Sequence, residues 1–164
     1  MIRTEPARDG GEYDQLSGFL DFLREAVELK CAGLTDEQAR RSLVPSELTT
    51  IAGLVGHLTY VEHYWFEVVL DGRPNRWAAR LDRDPDAEFR EALTVPLGDL
   101  VAGYRAQCAV SREIAAKLEP ESRVPFRGGS INLRYVLIHL VEETGRHAGH
   151  LDLLREMIDG RTGE

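Results

Sequence analysis

Ile138-His139-Leu140-Val141-Glu142-Glu143-Thr144-Gly145-Arg146-His147-Ala148-Gly149-His150 holds three of the chain's five histidines and two adjacent carboxylates. Its apolar residues recur at helical rather than alternating spacing. On an α-helix, residues four apart differ by about 40° around the axis and about 6 Å along it. His139, Glu143 and His147 therefore form one inclined row, with His150 close beside it. Such a row can grip a metal ion from one face. A single short helix face rarely completes a tetrahedral site, so a further ligand is expected from elsewhere in the chain.

Ser130 is placed to cap a helix from Ile131 to about Ile158, and Gly160 to close it. Before it, Arg127-Gly128-Gly129-Ser130 reads as a loop, and Pro120 and Pro125 end a third helix spanning about Leu97 to Leu118. Leu100, Val101, Tyr104, Cys108, Ser111, Ile114 and Leu118 form the buried stripe of that helix. A first helix is expected from about Glu12 to Leu34, followed by a capping box at Thr35 and Gln38. A second runs from a cap at Thr49 or Thr50 to about Leu70, where Asp71-Gly72-Arg73-Pro74 stops it. The charged stretch 74–96 reads as a long surface connection with a short helix at Asp86 to Leu93. Its length suits a site mouth as well as a plain solvated crossover.

No run alternates convincingly enough for a strand, and no internal repeat is visible. The expectation is an all-α protein, a four-helix bundle with a long crossover connection, forming a single domain over residues 1–164 and well over half helical. Bundles of this kind build metal sites from inward residues on facing helices.

Lys and Arg total 20 against 28 Asp and Glu, giving a net charge of −8. That balance argues against nucleic acid as a partner, because phosphate binding needs a basic excess or patch. No apolar run reaches the ~18 residues of a membrane span, and the N-terminus has no apolar signal region. A soluble, cytoplasmic protein is expected. Cys31 and Cys108 lie in helical patterns without partners at metal-ligand spacing, so both read as buried reduced thiols.

His57 is the best additional ligand, lying on the second helix near the apolar face formed by Leu54, Leu58 and Val61. Tyr60 and Tyr64 lie close to the same face and stand as candidates for cofactor contact. His63 is turned from His57 by about 240° and should point elsewhere. The candidate metal set is therefore His57, Glu143 and His147. Two imidazoles and one carboxylate suit zinc, with nickel, iron or manganese as alternatives, and leave an open position. A water or thiol at such a position loses its proton more readily. His139 and His150 flank the set as partners behind the ligands, substrate contacts or replacement ligands, and are the candidate catalytic residues. The bland alternative is that each histidine is an ordinary core residue and Glu143 a surface charge. No Glu-x-x-His diiron motif, His-Glu-x-x-His, Gly-x-Ser-x-Gly elbow or phosphate loop is present.

The segment Leu54-Val55-Gly56-His57-Leu58-Thr59-Tyr60-Val61-Glu62 resembles the first metal motif of the DinB-like superfamily, and His139 to His150 resembles its last. The resemblance implies a four-helix bundle with a mononuclear divalent metal, commonly bound by three histidines. His57, Glu143 and His147 match those positions, with Glu143 in place of the middle histidine. That variant is similar to the mycothiol-dependent maleylpyruvate isomerase branch. It implies a thiol-dependent S-transferase or isomerase, whose partners are a low-molecular-weight thiol such as mycothiol or bacillithiol and an electrophilic substrate, and it implies a homodimer. A metal-dependent hydrolase and a non-catalytic metal- or ligand-binding bundle are the competing readings.

Overall fold

Thr50, Asn132 and Gly160 set the limits of the two histidine-bearing helices in the computed structural model, which describes residues 3–162. Thr50 Oγ1 accepts from the Gly53 N–H at 2.9 Å and opens α3 (Ile51–Glu62). Before it come α1 (Glu12–Cys31) and α2 (Asp36–Ala39). The Thr35 and Gln38 capping box opens α2 as expected. The second expected helix is not uniformly α: from His63 to Leu70 it is π-helical. Such wider turns are rare and concentrate at functional sites.

The crossover carries α4 (Ala78–Leu81) and α5 (Ala87–Ala92), and leads into α6 (Leu97–Ala115). The expectation of no strands does not hold. β1 (Arg123–Phe126) and β2 (Gly129–Asn132) form an antiparallel hairpin, with Val124 opposite Ile131 and Phe126 opposite Gly129. Arg127 (φ 45°) and Gly128 (φ 79°) supply the left-handed pair that a two-residue hairpin turn requires. Four residues are too few for alternation to show in a sequence, and Pro125 is tolerated because a two-stranded ribbon has only edges. Because residues 129–132 pair with β1, α7 starts later than expected, at Leu133, and runs to Asp159. Its cap is Asn132, which accepts from the Tyr135 N–H, and not Ser130. Gly160, at φ 75°, closes it in the left-handed conformation.

Helix accounts for 62% of the residues, which makes the protein all-α with one small hairpin. α1 packs along α7, while α3 and the π-helical segment pack on α6. Leu20, Leu54, Leu58, Leu137, Leu140 and Leu151 are fully buried, each side chain contributing roughly 1.5–3 kcal/mol.

The interior divides into two apolar clusters. One gathers Val27, Leu54, Leu58, Tyr104 and Leu151, the other Leu20, Val61, Phe66, Ile114, Leu137 and Leu140. On α1, α6 and α7 a buried polar residue stands between the contributions to the two, Arg24, Ser111 and Thr144, and on α3 the buried Glu62 follows directly after Val61. Arg24 clasps Glu62 in two hydrogen bonds of 2.8 and 2.6 Å. Glu143 adjoins this polar layer on α7, as the neighbour of Thr144.

Candidate metal centre

His57 on α3 and Glu143 and His147 on α7 meet where the two helices face each other. Their donor atoms all lie within 4.8 Å of one another, and this is the set expected from the helical row. Glu143 Oε1 lies 3.3 Å from His57 Nε2 and 3.2 Å from His147 Nε2. Tetrahedral donors at zinc bond lengths are about 3.3 Å apart, so these two edges match a metal polyhedron. The second Glu143 oxygen accepts from Arg146 at 3.1 Å, which leaves Oε1 facing the imidazoles.

The electrostatics suit a cation. Burial alone would raise the Glu143 pKa. The hydrogen bond from His57, and the charges of His147, His57 and Arg146, outweigh it and hold the carboxyl below its usual range. Burial pushes the His147 pKa down, and His57 pushes it further, against the opposing pull of Glu143. A carboxylate paired with a neutral imidazole is the protonation state metal binding needs. The donor set therefore fits a divalent ion on both geometry and charge.

With that geometry established, comparison with known proteins is decisive for the family. A family model described as Mycothiol-S-transferase matches residues 15–160. The chain belongs to the mycothiol S-transferase family. That family lies within the DinB-like superfamily, as the two motifs suggested. No curated protein matches the chain. A conserved protein from Enterococcus faecalis, known from its crystal structure, shares the fold with a TM-score of 0.73 at 13% identity. The match covers 93% of this chain and 99% of that one.

Beyond the three donors, this member of the mycothiol S-transferase family distributes its candidate residues unevenly. His150 is exposed, and its Nδ1 lies 3.3 Å from His147 Nδ1, behind the ligand nitrogen. Among the described residues, His139 forms no hydrogen bond or ring contact with the three donors. It packs edge-on against Trp65, centroids 4.7 Å apart, and beside Tyr135 at 6.2 Å. A hollow of about 250 Å³ opens there, lined by Tyr135, Ile138, His139 and Glu142. Tyr60 and Tyr64 face each other at 6.0 Å, Tyr60 touching Trp77 and Tyr64 touching Trp65. His63 points away from the three donors as expected, and lies buried with its Nδ1 donating to Glu67 at 3.0 Å.

Two residues escaped the sequence reading. Glu88 Oε1 lies 3.1 Å from His57 Nδ1, and the Phe89 ring stacks on the same imidazole at 4.6 Å. Both come from α5, in a stretch whose charge density resembles a solvated loop. The available signal was Ala87, Phe89 and Ala92 set among charged residues, and it spans only six residues.

Proposed function

We propose that the protein is a metal-dependent S-transferase that joins a low-molecular-weight thiol of the mycothiol type to an electrophilic small molecule. The observation that carries this reading is the convergence of His57, Glu143 and His147 in a chain of this family. These residues would hold a divalent ion, zinc by the chemistry of the donors. When bound, such an ion supplies positive charge that eases loss of the thiol proton.

The chain's residues provide the rest. Tyr60 and Tyr64 flank the thiol, and His139 faces the electrophile in the hollow beside Tyr135. His150 steadies His147, and the proton released from the thiol passes to solvent. A carbon–sulfur bond forms as the sulfur attacks, and a leaving group departs with the bonding pair. For an isomerisation, the same bond forms and later breaks. Cys31 and Cys108 do not compete, because burial pushes both thiols up to about 12. The enzyme acts in the cytoplasm as a homodimer.

Protein purified without a histidine tag is expected to carry stoichiometric divalent metal and to conjugate mycothiol with monobromobimane or a chlorodinitrobenzene. Turnover should vanish on chelation and return with zinc. Thiol-independent turnover would support a hydrolase instead, and metal-free protein with full activity would overturn the metal assignment.

A further inference from the structure

The geometry points to Glu88 as the positioning residue that orients His57, making α5 the outer wall of the metal site. This rests on the metal reading above and extends it to a segment outside both sequence motifs.

The imidazole of His57 is held by its edge and by its face. Its Nδ1 lies 3.1 Å from Glu88 Oε1, and Phe89 stacks on it at an interplanar angle of 15°. The stack sets the plane of the ring, and the hydrogen bond sets its rotation within that plane. Both ring nitrogens face a carboxylate, Nδ1 that of Glu88 and Nε2 that of Glu143, and a carboxylate only accepts. A cation held by Nε2 and Glu143 would replace the Nε2 proton and leave Nδ1–H donating to Glu88.

Glu88 is an expensive way to fill this position. It is 5% exposed, and its Oε2 has no hydrogen-bond partner among the described residues. An apolar side chain would pack there without the desolvation cost. The neighbouring backbone is built to bring it in. A Cβ on Gly56, the residue before His57, would stand 2.6 Å from Ala92 Cβ and 2.7 Å from the Glu88 carbonyl oxygen. Only glycine lets α5 lie this close to α3.

The other imidazole ligand is held differently. His147 Nδ1 meets an exposed imidazole, His150, where His57 meets a buried carboxylate. The two outer partners should therefore carry unequal weight.

The test uses the full chain, stripped of metal and titrated with zinc against a chromophoric chelator. Glu88→Ala is expected to weaken zinc binding roughly 10–100-fold. Glu88→Gln should weaken it less, since its amide oxygen still accepts from Nδ1–H, and His150→Ala should weaken it least. Gly56→Ala displaces Glu88 without altering it and should resemble Glu88→Ala. A second readout is the His57 Nδ1–H resonance of the zinc-loaded protein, expected to be protected from exchange in the wild type and Glu88→Gln and lost in Glu88→Ala. If thermal melting shows Glu88→Ala or Gly56→Ala unfolded, the Glu88→Gln affinity and resonance carry the test. Wild-type zinc affinity in folded Glu88→Ala, or no protected resonance in the wild type, overturns this role and leaves the metal site standing. Absence of zinc binding in the wild type overturns both.

Discussion

Glu143 Oε1 lies 3.3 Å from His57 Nε2, although 86 residues separate the two in the chain. Each member of the metal set is therefore needed to complete it. Loss of His57, Glu143 or His147 to alanine should cost more than the roughly 10–100-fold in affinity typical of an outer partner. Glu143→His, which restores three imidazoles, should keep divalent binding. Metal content by mass spectrometry and zinc titration check this. Unchanged metal content in His147→Ala would refute the assignment.

Both cysteines should be silent in the native protein. Burial pushes each thiol up to about 12, so almost no thiolate exists near neutral pH. A colorimetric disulfide reagent is expected to label neither until denaturant is added, and then to label both. Rapid labelling without denaturant would contradict the burial of Cys31 and Cys108.

Acid should weaken the fold through Glu67. Burial alone would raise its pKa, but hydrogen bonds from His63, Gln107 and Arg73 hold it at about 2, below the ordinary 4.5. Its folded value is the lower one, so its contribution is complete above about pH 4.5 and is lost as pH falls towards 2. Glu67→Gln should start less stable and lose roughly 2–3 kcal/mol less than the wild type over that window. Urea unfolding across the acid range measures the difference. Parallel stability curves for the two proteins would reject this role.

Arg24 and Glu62 should be separable only at a cost. Both side chains are almost fully buried, and the pair is bidentate. Arg24→Met leaves an unpaired buried carboxylate and should destabilise by about 3–5 kcal/mol. Replacing both residues with apolar side chains should recover much of that loss. Denaturant midpoints of the two variants and the double variant decide it. Additive losses would show that the two charges do not stabilise each other.

The helical row on α7 was legible because its four polar groups keep one helical period within a strongly apolar pattern. His57 was legible for the same reason on α3. Periodicity places side chains on a face, and a bundle turns apolar faces inward. Thr50, the Thr35 capping box and Gly160 were legible because caps are local hydrogen-bond chemistry. The hairpin at 123–132 was not, because its strands are shorter than the pattern that reveals a strand. The π-helical turn at His63–Leu70 was not, because its residues suit an α-helix equally well.

By itself the amino-acid sequence determined the four long helices, their apolar faces, and which three residues could converge. These follow from intervals of three and four residues along one chain. Only the tertiary structure decided what stands behind those residues. Glu88 reaches His57, and His139 turns towards Trp65 instead of the three donors, because of how α5 and the hairpin pack on the bundle. Contacts between elements distant in sequence depend on close approach, such as that of α5 over Gly56, and no local spacing encodes them.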